Sequence, residues 1–416
     1  MRKTIALKDN LKVLKPAYYD RFSCIGGECG STCCANWDIL LTKKEYLRTK
    51  ETPLCHSVEK EQGRVFKRLR NNDSNGGYVK VHLDERGLCP LLTEDGLCGL
   101  QLNYGHQMLS KTCQEFPRKR ALAAGHMVET LSLGCEAVLG LLFEYPDGVP
   151  LVAEERKQDV ESLQYLDEEQ RPVFRYYPQL FLLSHLILQE KSMPMPDRLL
   201  YLGFVLQDVD RLERQGEEEK IPQRIQEAMA AMGEGAVEMF AQVKGQKVLQ
   251  ILRAMEIMQI LFLSTNKLDR QLLMRIMENL KLTHNIEKTN HIISGTLTVN
   301  IGVVEAAEQS FSAFLGERSY IMENIIVAWF TDLNFPFCLK DMSIWENYLL
   351  FVGLAQMLHF MAVGYMGTDG TMDDFIRIIT MCSRNLTHNR NRMEKLVAYL
   401  KKEEMDSLAY MAILLK

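Results

Sequence analysis

Beyond residue 170 the chain repeats apolar residues at three- and four-residue intervals with polar faces between them, the period of an amphipathic helix. The pattern predicts helices over 172–189, 196–215, 221–241, 245–263 and 269–282. The most apolar stretch, 348–366, approaches the length of about 18 apolar residues at which a membrane span becomes a candidate. Gln356, His359 and two glycines interrupt it, Ser343 and Glu346 stand at capping-box spacing before it, and Gly364 and Gly367 close it. It therefore reads as the buried helix of a bundle. Thr371 and Asp374 repeat the capping spacing after Asp369 and Gly370 and open a further helix.

The first third follows another pattern. Val79, Val81 and Leu83 alternate with Lys80 and His82, which predicts a strand with one buried face after a turn at Asn75, Gly76 and Gly77. Asp95 and Gly96 form a tight-turn pair between Leu91 and Leu92 on one side and Leu97 and Cys98 on the other. Thr42 with Glu45 makes a capping box ahead of Tyr46 and Leu47. The run YPDGVP from Tyr145 interrupts any periodic element and is the best boundary. The expected fold is mainly α: a small cysteine-rich α+β N-terminal domain with short strands at 1–146, then an all-helical domain at 147–416.

Composition changes this picture little. With 416 residues, 47% hydrophobic and 25% charged, the chain is of ordinary globular type. A net charge of −5 gives no global attraction to nucleic acid or to an acidic membrane, so neither is expected as a partner. The 22 methionines suit helical cores as flexible gap-fillers. The N-terminus carries Lys3, Lys8, Asp9, Lys12 and Lys15 with no apolar core, unlike a secretory signal, and a cytoplasmic location is expected.

Cysteine changes it a great deal. Cys24, Cys29, Cys33 and Cys34 fall within one Gly-rich stretch, FSCIGGECGSTCCANW from Phe22, and Cys89, Cys98, Cys113 and Cys135 follow before residue 140. Crowded thiolates repel and oxidise unless a metal, a cluster or disulfides tie them together. In a reducing compartment a metal or cluster is the expected outcome, and these eight are the candidate ligands. The spacing C-x4-C-x3-C-C is neither the paired CxxC of a zinc ribbon nor the CxxCxxC of bacterial ferredoxins. Neighbouring side chains in an extended segment face opposite ways, so Cys33 and Cys34 are not expected to serve one iron together. Cys55, Cys338 and Cys382 have no cysteine neighbours and read as small buried hydrophobes.

Several signatures are missing. No Gly-rich turn follows a strand, so a Rossmann cradle is not legible, and no GxxxxGK[ST] argues for an NTPase. The CxxxCxxC box of radical S-adenosylmethionine chemistry is broken at Asn36.

The C-x4-C-x3-CC box, the CP at Cys89, the GLC at Gly96 and the TCQEFPR at Thr112 resemble the CxxCxxCC cysteine-box domains described as zinc- or iron-chelating. The lead-in AYYDRFSCIGGECGSTCCANW from Ala17 and SLGCEA around Cys135 resemble the flagellin lysine N-methylases, as do ERSYIMENIIVAWF from Glu317, FPF at Phe335 and SRNLTHN from Ser383. The resemblance implies a protein with a [4Fe-4S] cluster that transfers methyl groups from S-adenosylmethionine to lysine side chains of flagellin. Such a transfer needs aromatic faces for the sulfonium, an arginine fork for the donor's carboxylate, and a base or desolvated pocket for the amine.

Tyr18, Tyr19, Asp20 and Arg21 supply these kinds of group and are the candidate catalytic residues, with Trp37, Arg118 and Arg318 as candidates for holding the cofactor. Glu115, Glu323 with Asn324, and Tyr320 are candidates for placing the substrate amine, with capping or a polar contact across the bundle as the alternative. The aromatics have a plainer reading as packed surface, and the basic run from Arg118 to Arg120 one as a solvated patch. Two rivals stay open: a non-catalytic binding module stapled by zinc, and an iron-sulfur redox protein.

Overall fold

The computed structural model describes residues 4–5, 11–35, 37–69, 77–156, 160–161, 164–233, 239–240, 242–262, 267–289, 292–298, 300–387 and 389–416. The chain is mainly helical, with its short strands gathered chiefly in the N-terminal region and a helical C-terminal part.

Three strands, Leu40–Leu41, Phe66–Arg68 and Val79–Val81, make a small antiparallel sheet with the last in the middle. Val79 and Val81 are buried and Lys80 is not, as the alternation requires. The Lys43–Lys50 helix covers this sheet and begins at the Thr42–Glu45 capping box. A small core of Ile39, Leu41, Val58, Val65, Phe66, Val79 and Val81 lies between, with Cys55 fully buried in it. The turn at Asp95 and Gly96 is present: Gly96 takes φ +75°, and Leu92 bridges Cys98 across it. The turn read at Asn75 and Gly76 lies outside the described residues.

A second sheet carries five strands in the order Gln164–Tyr165, Arg118–Ala123, His126–Leu131, Leu11–Pro16, Leu151–Arg156. Its central hairpin turns on Ala124 (φ +47°) and Gly125 (φ +73°), the two positive values that a tight two-residue turn demands. His126–Leu131 then runs parallel to Leu11–Pro16, so the chain's beginning is threaded into the sheet's interior. Leu151–Arg156 and Gln164–Tyr165 are edge strands that follow the YPDGVP run, and the sheet takes strands from both sides of residue 146. Edge strands are half in water and show no clean alternation, so the helical reading of everything past 150 missed them.

The helical part is ordered around Ile344–Met366, in which 19 of 23 residues are buried. Its start is the Ser343–Glu346 capping box and its end is Gly367 at φ +58°. Gly364 lies inside the helix rather than ending it. A Cβ there would come 2.7 Å from Ile276, so the absent side chain admits the neighbouring Lys267–Asn279 helix. Among the described residues this is the one helix long and apolar enough to cross a membrane, and 89% of its most apolar window is covered by the rest of the chain.

Met195–Gln215, Lys247–Phe262, Met372–Thr387 and Arg390–Lys402 pack around it. The helix expected over 221–241 is described as Ile221–Ala231. One strand pair, Thr283–Thr289 with Ile292–Thr298, interrupts the helices. Its β-branched residues (Thr283, Ile286, Thr289, Ile292, Ile293, Thr296, Thr298) favour the extended chain.

Candidate metal centre

The cysteines are brought together by loops and short helices. Cys98 stands directly before the Gly99–Tyr104 helix and Cys135 directly before Glu136–Leu142, while Cys113 lies within Lys111–Glu115, whose first turn is capped by Ser110. The amide of Cys89 donates to the Cys34 carbonyl at 2.7 Å, and Ala35 bridges Leu88. These two contacts pin the segment that bears Cys33 and Cys34 against the one that bears Cys89.

Seven of the eight thiols sense one another. Hydrogen-bond contact with the Cys34 thiol lowers Cys33 to about 7 and Cys98 to about 6, and pushes Cys34 itself far up. Two helical amides, of Leu100 and Gln101, also point at the Cys98 sulfur and favour its thiolate. Burial raises Cys89 and Cys113 to about 12, and the charges of Cys98 and Cys33 add to the rise. Cys29 (about 11) and Cys135 (about 12) are likewise raised by burial. Cys24 is exposed, and its sulfur accepts from the Gly26 amide at 3.4 Å.

Two charged residues that the sequence reading passed over sit among these thiols. Glu136 accepts from the Ser31 amide at 2.7 Å and lies 3.6 Å from the Cys29 sulfur. Arg384, from the Met372–Thr387 helix, is 6% exposed and donates to the carbonyls of Thr32 and Gly134, each at 2.6 Å, and to that of Ser31. Burial lowers its pKa, and Cys33, Cys29, Cys135 and Cys34 oppose that fall. Arg384 belongs to the SRNLTHN run, but an arginine on an amphipathic helix carries no local mark of facing inward.

The other candidates are placed differently. Tyr18 is fully buried beside Thr331 and Asp332 with its ring against Tyr145, and Tyr19 is 5% exposed near Glu129 and Arg120. Both tyrosines belong to the main hydrophobic core, Tyr19 within the 3-10 turn Tyr19–Arg21 and Tyr18 directly before it. Asp20 pairs with Lys15 at 2.7 Å and Arg21 with Glu144. Trp37 does lie at the cysteines: its indole donates to the Cys33 carbonyl at 2.6 Å and its ring stands 5.3 Å from that of Phe116.

The basic run is not a solvated patch. Arg118 stacks over Phe22, Lys119 reaches the buried Asp332 at 2.5 Å, and Arg120 pairs with Glu129 at 3.2 Å. Arg318 is exposed. Glu115 pairs with Lys111, and Glu323 with Lys191 and Arg198. Asn324 and Tyr320 donate to carbonyls at Leu142, Tyr145 and Phe143, so they tie the helical part to the end of the Glu136–Leu142 helix. Cys382 is buried and Cys338 partly so.

Among the described residues no three Cys, His, Asp or Glu side chains are already closed around one point that could hold a metal ion. The thiols are gathered but not clenched. The donor set nevertheless fits a thiophilic group in its chemistry: Cys34 meets the soft sulfurs of Cys33 and Cys98, and the buried Arg384 is hydrogen-bonded to the loop that bears two of them.

Comparison with known proteins agrees with the helical part. Residues 182–414, more than half of the chain, match the family described as the FliB lysine N-methylase C-terminal domain. The chain belongs to the flagellin lysine N-methylase family.

Among individual proteins of this family, the lysine-N-methylase of Salmonella typhimurium is 35% identical over 144 residues, 34% of this chain and 35% of that protein. The lysine-N-methylase of Salmonella choleraesuis matches to the same extent. The flagellar biosynthetic protein FliU of Salmonella muenchen is 34% identical over 144 residues and is covered over 82% of its length. The chain thus aligns with about a third of the length of the two lysine-N-methylases. No solved structure matches the chain at a significant level.

Proposed function

We propose that this chain is a protein-lysine N-methylase that moves methyl groups from S-adenosylmethionine to lysine side chains of flagellin in the cytoplasm, with a [4Fe-4S] cluster held by its N-terminal cysteines. The observation that carries the reading is the meeting of the gathered thiols with Arg384, which belongs to the stretch that matches the methylase family. Cys33, Cys34 and Cys98, with Cys89 and Cys113 beside them, are the residues that would hold the cluster. With three of these five as its ligands, such a cluster would offer an iron to the amino and carboxylate groups of the donor.

The reaction is an in-line displacement. The neutral lysine nitrogen attacks the methyl carbon, an N–C bond forms as the C–S bond breaks, and the electron pair stays on sulfur to give a neutral thioether. The methylated nitrogen then sheds a proton to solvent. No electrons enter or leave, so what the protein contributes is proximity and alignment. Glu136 and Arg384 keep the cysteine loop in place, and Trp37 offers an aromatic edge beside it. Flagellin as the substrate is supported by the family and by the flagellar name of one relative.

The test is anaerobic purification followed by methyl-labelled donor and flagellin. Iron and sulfide in the purified chain, label on flagellin lysines, and loss of both colour and label in Cys33→Ser and Cys98→Ser are the expected results. Label transfer by a colourless Cys33→Ser protein would remove the cluster from the reaction, and absence of label with the wild type would end the methylase reading. A zinc staple is the second reading, favoured by the packing of Cys89, Cys98 and Cys113 on the small N-terminal core. It predicts colourless protein with stoichiometric zinc.

A further inference from the structure

We propose that Arg384 is a positioning residue for the metal centre: its guanidinium fastens the cysteine loop to the helical part and supplies the positive charge that offsets the gathered thiolates. This inference rests on the metal-centre reading above and adds a residue to it from the far end of the chain.

Geometry comes first. The guanidinium reaches carbonyls at Ser31, Thr32 and Gly134, so a single side chain joins two segments of the cysteine region that are about a hundred residues apart in sequence. A planar fork with donors in fixed directions suits three such acceptors, whereas a lysine ammonium offers only a point charge. Room for it is made by Gly134, where a Cβ would fall 2.9 Å from the Arg384 Cγ. One turn earlier on the same helix, the Thr380 hydroxyl meets that of Ser31 at 3.3 Å, so the helix presents one face to the loop. Glu136 holds the Ser31 amide at 2.7 Å.

Charge comes second. All three acceptors are neutral carbonyls, so the fork's hydrogen bonds are made but its charge is not cancelled by them. A cation with 6% exposure in that condition is costly unless an anion stands near. The ionisable groups that bear on it most are the sulfurs of Cys33, Cys29, Cys135 and Cys34, of which Cys33 and Cys34 are among the candidate ligands. Loading the centre with metal keeps Cys33 and Cys34 deprotonated and so gives Arg384 its counter-charge. Removing Arg384 leaves several like charges together with less to hold them.

The experiment uses the full chain, reconstituted anaerobically with iron and sulfide, as wild type, Arg384→Gln, Arg384→Lys and Gly134→Ala. Iron per chain and the rate at which the visible band bleaches under a chelator are read alongside the melting temperature of the metal-free protein. Arg384→Gln is expected to bleach about tenfold faster or more, the scale of a lost charge-assisted contact, and Arg384→Lys to fall between it and the wild type. Bleaching of Arg384→Gln at the wild-type rate overturns the proposal, as does equal bleaching of the Gln and Lys variants, which would leave the charge without a role.

Should Arg384→Gln not fold, Gly134→Ala displaces the fork while keeping its charge. Faster bleaching supports the proposal and the wild-type rate overturns it. A wild type that takes up zinc in place of iron overturns the iron reading alone, and the same variants are then compared by zinc release. A wild type that takes up neither overturns both.

Discussion

The loop at 22–34 and the helix Ile344–Met366 are opposite answers to the question of what holds a segment in place. The helix buries 19 of its 23 residues, and its rings interlock, Phe351 lying 4.9 Å from Phe335 and 6.4 Å from Phe330. The loop, which bears four cysteines, has no fully buried residue among its thirteen, and its least exposed ones are only partly covered. Apolar area fixes the first, and a few directional contacts fix the second: Glu136 on Ser31, Arg384 on Ser31 and Thr32, Trp37 on the Cys33 carbonyl. A segment held that way can adjust to a ligand at little cost to the rest of the fold, since local opening need not unfold the core.

Four measurements break or sharpen that contrast. The largest effect belongs to the helix: Phe351→Ala leaves a void among the fully buried rings of Phe330 and Phe335 and should cost about 3–5 kcal/mol of global stability in urea unfolding. A loss of under about 1 kcal/mol, the scale of a surface change, would mean that the bundle is looser than its burial shows.

Next is pH. His185 is 4% exposed on the Tyr177–Gln189 helix, and burial pushes its pKa down to about 4 from an ordinary value near 6.5. Below pH 6.5 the unfolded chain takes up a proton that the folded chain refuses. Stability is therefore full above about 6.5 and declines until about pH 4, by about 3 kcal/mol in all. His185→Gln should flatten that part of the curve relative to the wild type, and parallel curves would refute the assignment.

Third, Glu136→Ala strips the Ser31 amide of its acceptor. It should cost about 1–3 kcal/mol, seen as faster hydrogen exchange across 26–34 with the urea midpoint unmoved. A fall in the global midpoint of equal size would erase the distinction between the two regions.

The smallest effect compares like with like, because each region starts a helix at a capping box. Ser343→Ala and Thr42→Ala should each cost about 1 kcal/mol, the first read in global unfolding and the second in exchange within Lys43–Lys50 alone.

Most of the helical part was legible because its signals are local. Three- and four-residue spacing, the Ser343–Glu346 and Thr371–Asp374 boxes and the apolar run at 348–366 each name an element by themselves, and the structure carries all of them. The five-stranded sheet was not legible to the same degree. Its hairpin begins inside a basic run, its edges lack alternation, and the parallel pairing of Leu11–Pro16 with His126–Leu131 joins residues more than a hundred apart. At the candidate site the crowding of cysteines was plain, yet the tyrosines beside them proved to be core, since a bulky aromatic gives no sign in sequence of which way the chain turns beneath it.

By itself, then, the sequence determined the helical periodicity, the caps and the gathering of thiols into one third of the chain, since these depend on neighbours a few residues apart. Only the tertiary structure decided that Cys34 meets Cys33 and Cys98, that Glu136 holds the loop, and that an arginine some 350 residues further on closes over it. A buried charge is fixed by whatever the whole fold places opposite it, and nothing in the residues on either side of Arg384 records what that will be.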